Sequence, residues 1–298
     1  MEGTMMALVY SGEGKLSLRE REAPKLQQPR DAIVRVTRSA ICTSDLHIKN
    51  GAVPRAKQGV VLGCRIDGCQ AEYVRVPFAD RGLTKIPDSV SDEDTLFLGD
   101  ILSSGYWGAQ LAEILPGDSV AVIGAGPVGM CAMQSARLFG AGKVIALDLS
   151  QKRLDYAMAQ GLCDDVILCG EGSVEQQIRS LTQGRGADAV IECAGNADSF
   201  QTAWQIARPN AVVAIVAMYE QPQTLPLQRM YGKNLIFKTG GVDATQCSRL
   251  MRLIETGKLS TGFLISHRAP LNDILEGYRV FEQKLDNCIK WVVTPYER

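Results

Sequence analysis

The residues best suited to chemistry in this chain lie in one turn, Gly124-Ala125-Gly126-Pro127-Val128-Gly129, and in an acid, Asp148, that follows 19 residues after the last of its glycines. In a G-x-G-x-x-G pattern each glycine has its own steric task. The first makes a tight turn, the second lets the backbone approach a pyrophosphate, and the third lets a helix pack close to a strand. A helix opening at Pro127 and Val128 offers unpaired N–H groups and the positive end of its dipole to phosphate oxygens. A carboxylate at Asp148 accepts hydrogen bonds from both ribose hydroxyls and repels a 2′-phosphate, which favours NAD over NADP. Arg153 follows a little further on, and an arginine that reached the adenosine ribose would keep NADP in play. The glycine pattern is weak by itself, but its context is specific. An apolar run (Val120, Val122, Ile123) precedes it, an amphipathic stretch to Phe139 follows, and a second apolar run (Val144, Ile145, Leu147) ends on the acid. A solvated acid at a strand end would explain Asp148 but not its spacing. The stretch reads as a dinucleotide site.

Three further clusters carry chemistry-bearing side chains. Cys42-Thr43-Ser44-Asp45-Leu46-His47 sets a thiol, two hydroxyls, a carboxylate and an imidazole within six residues. Such a set can supply a metal ligand, a proton relay and an outer acid. On composition alone, a polar loop with one small buried thiol explains it better. Asp100, ahead of Ser103 and Ser104, is most simply a helix N-cap, and otherwise a hard oxygen ligand for zinc. Cys64 and Cys69 are not spaced as C-x-x-C and read first as two ordinary thiols near a turn. Cys193 reads as a buried core thiol and His267 as a structural residue.

The elements that must position these groups fall into two styles. Residues 1 to about 100 show β-type alternation at 7–10, 16–18, 32–36 and 71–76, with turn signals between. A helical spacing at 100–115 is stopped by Pro116-Gly117. From there strands at 119–123, 144–147, 165–168, 189–192, 211–217 and 235–238 alternate with helices such as 153–160, 174–182 and 199–207. Six strands in this rhythm describe a complete doubly wound parallel sheet, the α/β Rossmann class. A helix at 245–255 closes it, and 273–284 and 289–293 read as a last helix and strand.

The composition narrows the classes. The chain of 298 residues is long enough for two cores, and a net charge of −1 gives no bulk electrostatic support for nucleic acid or a membrane surface. The N-terminal stretch shows no signal-peptide pattern and no span of about 20 apolar residues appears. Nine scattered cysteines, mostly inside apolar runs, suit a reducing cytoplasm rather than a disulfide framework. With only His47 and His267 present, any acid–base proposal has a short list of imidazoles.

Taken together, CTSDLH, GDILSSGYWG, GAGPVG followed by Asp148, and the C-terminal GFLISHRAPLNDILEGY resemble the medium-chain dehydrogenase/reductase superfamily, and within it the zinc-dependent alcohol, polyol and threonine dehydrogenase branch. The resemblance runs through nearly the whole chain. It implies a GroES-like β-barrel catalytic domain built from residues 1–104 and 265–298 around a dinucleotide-binding domain at 105–264. It further implies Cys42 as first catalytic-zinc ligand, Ser44 and His47 as the proton relay, Asp100 as third ligand, and Ser104 as the hydroxyl at the nicotinamide end. The implied activity is hydride transfer between NAD and a secondary alcohol or polyol, in a cytoplasmic homo-oligomer with no nucleic-acid or membrane partner. One departure matters. The Val61-Leu62-Gly63 run, which in the family leads into a His-Glu pair, is here followed by Cys64-Arg65 and then by a stretch that the family places much later. The intervening piece, with two barrel strands and the four-cysteine lobe, is missing, so no structural zinc is expected. Catalytic zinc, normally held by three protein ligands, is left with Cys42 and Asp100, which makes an impaired or absent site the first expectation. A site completed by Cys64, 22 residues after Cys42, is the second. A zinc-free carbonyl or quinone reductase and a non-catalytic NAD-binding protein are the alternatives.

Overall fold

The computed structural model describes residues 3–63, 66–242 and 244–296. Along the chain the strands are β1 (Thr4–Gly12), β2 (Lys15–Glu22), β3 (Ala32–Arg35), β4 (Ser39–Ala40), β5 (Tyr73–Val76), β6 (Ser119–Ile123), β7 (Lys143–Asp148), β8 (Asp165–Leu168), β9 (Ala187–Glu192), β10 (Ala207–Ile215), β11 (Ile236–Thr239), β12 (Ile265–Pro270) and β13 (Lys290–Thr294). They belong to two compact units: one runs to Leu96 and resumes at Gly262, and the other is Phe97–Thr261.

In the second unit six strands form one parallel sheet in the order β11-β10-β9-β6-β7-β8. A parallel sheet needs crossovers that cover both faces, and its strands are therefore apolar on both. All of β9 is buried, as are four of the five residues of β6. Ile145, Leu147 and Val213 pack with Ile178 and Ile206 from the helices Val174–Leu181 and Ala197–Ile206. The order reverses between β6 and β9, which is where such sheets open a crevice at their C-terminal edge.

Two sequence expectations shift here for physical reasons. The strand expected at 211–217 starts at Ala207 and stops at Ile215, because Val216 N and Ala217 N both turn to donate to the Glu192 carbonyl, at 2.9 and 3.2 Å. The expected helix at 100–115 begins as a π turn, Leu98–Leu102, and only then becomes α-helical over Ser103–Leu111. Asp100 is therefore inside a turn and is not the N-cap it was expected to be. That helix lies against Pro127–Leu138, with Gly105 facing Cys131 and Ala132, so residues 97–104 go with the dinucleotide fold rather than with the β unit.

The first unit is a truncated β domain. Among the described residues its strands form an antiparallel hairpin β1-β2, a pair β3-β5 and a mixed sheet β12-β13-β4, tied by single bridges Ala7–Ala71 and Val9–Val61, with no closed barrel. Leu8, Ile41, Leu62, Ile274, Tyr278 and Val293 fill its core. The family's missing piece would leave this chain near Gly63, and there residues 61–63 and 66–68 lie side by side. Val61 N donates to Asp67 Oδ1 (2.8 Å) and Gly68 N to the Val61 carbonyl (3.2 Å). A Cβ on Gly68 would fall 1.9 Å from the Leu62 oxygen. No helix among the described residues is long and apolar enough to cross a membrane.

Candidate functional site

The glycine turn is built as its residue types require. Gly124 sits at φ +97°, a conformation that only glycine adopts at no steric cost. Gly126 is the N-cap and Pro127 opens the helix Pro127–Leu138, where a missing N–H costs nothing. A Cβ on Gly129 would lie 1.7 Å from the Gly124 carbonyl oxygen, so the helix can approach the strand only without one. Around Gly126 the space is open, and the nearest atom to a Cβ there is Arg153 Nη1 at 3.9 Å. The Val128 and Gly129 N–H groups belong to the first helical turn, the part of a helix that leaves donors for a ligand.

Asp148 ends β7 beside this turn. Its Oδ2 accepts from Ala125 N at 2.7 Å and its Oδ1 from Ser150 N at 2.8 Å. The carboxylate thus bridges the glycine turn and the loop after β7, and each oxygen keeps a lone pair for another donor. Sequence reasoning singled out the acid from its spacing. It did not show that the acid also holds the turn.

A second carboxylate at this edge went unnoticed in the sequence. Glu192 ends β9 and is fully buried. Its Oε1 accepts from Ala194 N (2.8 Å) and Gly195 N (2.9 Å), and its Oε2 from the Tyr219 hydroxyl (2.5 Å). Its only sequence signal is an acid closing an apolar run. Beside it lies Cys193, half-buried rather than in the core as the sequence suggests; burial first and the Glu192 charge second push its thiol well above its ordinary range.

In the first unit, Cys42 caps the helix Thr43–Lys49 and its backbone N–H donates to Asp45 Oδ2 at 2.8 Å. The same oxygen accepts from Gln70 Nε2 (3.0 Å), and Gln70 Oε1 accepts from the buried Tyr278 hydroxyl (2.8 Å). Burial, and then the Asp45 charge, hold the Tyr278 hydroxyl well above its ordinary pKa, so it remains a donor. Lys290, also buried, donates to the Ile41 carbonyl at 3.0 Å. These contacts fix the loop that presents a half-buried Cys42, with Ser44 exposed and His47 half-buried on the helix that follows. His267 stacks on Trp291 with ring centroids 5.2 Å apart.

In the second unit Asp100 is exposed on the π turn, which is closed by Ser103 Oγ donating to the Leu98 carbonyl at 2.6 Å. Ser104 is buried in the next turn. Cys64 lies outside the described residues, and Cys69 is exposed with its Sγ 3.6 Å from Ser39 Oγ. Among the described residues no group of three or more His, Cys, Asp or Glu is gathered as a metal site. Cys42 and Asp100 alone do not meet the three-ligand requirement of a catalytic zinc.

Comparisons with known proteins accord with this geometry. Residues 127–256 match the family model described as zinc-binding dehydrogenase. An alcohol dehydrogenase of Cupriavidus necator is 30% identical over 370 aligned positions, covering 99% of this chain and all of that protein. The chain belongs to the zinc-type alcohol dehydrogenase family. With 370 aligned positions against 298 residues, at least 72 positions of that relative stand opposite gaps, as a missing internal segment requires. The solved structure of alcohol dehydrogenase TADH from Thermus sp. ATN1 superimposes with a TM-score of 0.91 at 31% identity, over 97% of this chain and 99% of that one. An NADP-dependent isopropanol dehydrogenase of Thermoanaerobacter brockii is 33% identical over 234 positions, covering 76% of this chain and 66% of that protein. The second unit of this family member carries the NAD(P)-binding fold.

Proposed function

We propose that this dehydrogenase-family member is an NAD-dependent oxidoreductase that moves hydride between the cofactor and a secondary alcohol or polyol. The observation that carries the reading is Asp148, a carboxylate held by Ala125 N and Ser150 N at the lip of the glycine turn. Fixed there, it accepts from ribose hydroxyls and repels a 2′-phosphate, which supports NAD even though one relative is named as NADP-dependent. Gly124, Gly126 and Gly129 shape the cradle, and the Pro127–Leu138 helix turns its first N–H groups to the diphosphate. Arg153, near Gly126, adds positive charge beside the same phosphates. When bound, NAD supplies the hydride acceptor. Ser44, exposed, and His47, half-buried on the same helix, pass the substrate's proton outward, and Ser104 donates toward the nicotinamide end. The described residues do not assemble a zinc site, so no step is assigned to a metal. The unclosed small sheets leave strand edges that favour association between copies of the chain.

A second reading, an NAD-binding protein without turnover, is favoured by the same missing donor set. One experiment separates them. The purified protein is titrated with NADH, its zinc content is measured, and NADH formation is followed on a panel of secondary alcohols and polyols. Binding with turnover supports the dehydrogenase, and binding without turnover supports the second reading. Unchanged NADH fluorescence and an unchanged melting point would refute both.

A further inference from the structure

Glu192 is an expensive residue to keep. A fully buried carboxylate is tolerated only when its oxygens are well bonded, because burying an ion costs several kcal/mol. Here its bonds tie two strand ends together. Oε1 folds the loop after β9 onto itself through Ala194 N and Gly195 N, and Oε2 takes the Tyr219 hydroxyl from the loop after β10. The first loop is seated on the glycine turn. Cys193 N donates to the Ile123 carbonyl at 2.8 Å, and a Cβ on Gly124 would lie 3.1 Å from the Cys193 carbonyl carbon and from Ala194 N. The two loops also meet each other, Gly195 lying under the Met218 carbonyl. Burial, and then the Glu192 bond, hold the Tyr219 hydroxyl far above its ordinary pKa, so it stays a donor. Its ring is fixed edge-on to Phe200, with centroids 5.9 Å apart.

The location gives this arrangement a task. Asp148, on β7, lies to one side of the β6 turn, and the strand order places β9 and β10 on the other. A dinucleotide straddles that point of reversal. With the adenosine ribose at Asp148 and the diphosphate over the turn, the remaining half extends across the loops after β9 and β10. We propose that Glu192 and Tyr219 form a buried clamp that positions these two loops under the nicotinamide half of the cofactor; this rests on the dinucleotide reading above. Glu192 is fully buried and Tyr219 half-buried, and the clamp acts through the loops rather than by contact with the cofactor. Both are positioning residues.

The test compares two ligands that differ only at that half, NADH and adenosine diphosphate ribose, on wild type, Tyr219→Phe, Glu192→Leu and Glu192→Gln. Removing the hydroxyl leaves a buried carboxylate oxygen without its donor, so Tyr219→Phe weakens NADH about tenfold while adenosine diphosphate ribose changes by less than about twofold. Glu192→Leu moves the same ratio further, and Glu192→Gln, which still accepts from both N–H groups, recovers part of it. A purely structural role would lower the melting point and weaken both ligands alike. An affinity ratio equal to wild type in Tyr219→Phe overturns the clamp, even if Glu192→Leu fails to fold. Wild type that binds neither ligand refutes the dinucleotide reading and the clamp with it, whereas wild type that binds both, with ratios unmoved in the variants, refutes the clamp alone.

Discussion

Asp148→Asn is the substitution that separates the two roles of this carboxylate. Asn keeps the shape but has one acceptor oxygen where Asp148 has two, so either Ala125 N or Ser150 N comes to face an NH2 group. Hydrogen bonds to a charged acceptor contribute about 1.5–3 kcal/mol, and the half-exposed setting of Asp148 points to the lower end of that range. At roughly 2–4 °C per kcal/mol for a chain of this size, the apo protein should lose about 3–6 °C of melting temperature. Binding should fall separately. Losing one charged acceptor for the ribose hydroxyls weakens NADH by about 10–100-fold, and removing the negative charge improves NADPH relative to NADH. Differential scanning fluorimetry on the apo protein and fluorescence titration with both cofactors read the two effects. If NADH affinity stays within about twofold of wild type and the NADH-to-NADPH preference is unmoved, Asp148 does not hold the ribose and the argument fails at its centre.

Other expectations follow from local geometry. Gly129→Ala places a methyl 1.7 Å from the Gly124 oxygen, a backbone atom with nowhere to go; it should cost about 3 kcal/mol or more in urea unfolding and abolish NADH binding, and a variant of normal stability would contradict the close packing described. Gly68→Ala meets the Leu62 oxygen at 1.9 Å and should destabilise the protein by a similar amount while leaving NADH affinity unchanged, since the strain falls in the other unit. Hydrogen bonds from Arg268 first, and then the charges of Arg268 and Arg38, outweigh desolvation and hold Glu93 below its ordinary pKa. A depressed carboxylate adds stability that is present above its unfolded value and disappears as pH falls through the folded one. Unfolding free energy compared at pH 7 and at pH 3 should therefore differ less in Arg268→Gln than in wild type, and an equal difference would remove Glu93 from the account.

The dinucleotide half of the molecule was readable because its signals are local. A turn that needs three glycines, and strands that must be apolar on both faces, leave their mark on consecutive residues such as 119–129. The C-terminal limit of β10 differs from the sequence expectation because beyond Ile215 the N–H groups of Val216 and Ala217 share one carbonyl elsewhere in the fold, that of Glu192. Glu192 itself was passed over for the same reason: its partners at 194, 195 and 219 become visible only when loops from different strands are brought together. The π turn at Leu98–Leu102 has no residue pattern of its own, and the later start of the α-helix removes the cap that its sequence position suggests for Asp100. In the β unit the family motif singles out Cys42, Ser44 and His47 as candidates. The net of Asp45, Gln70 and Tyr278 that steadies them joins residues up to 208 positions apart.

Residues 61–63 and 66–68 stand side by side, which matters for engineering. The two sides are hydrogen-bonded to each other through Val61 and Asp67, so anything spliced between them leaves and re-enters the scaffold at adjacent points. That is the geometry in which a folded module can be grafted as a side branch while its host keeps its own registration. The neck is a socket, and a metal-binding lobe or an unrelated reporter domain seated there finds both of its ends already side by side.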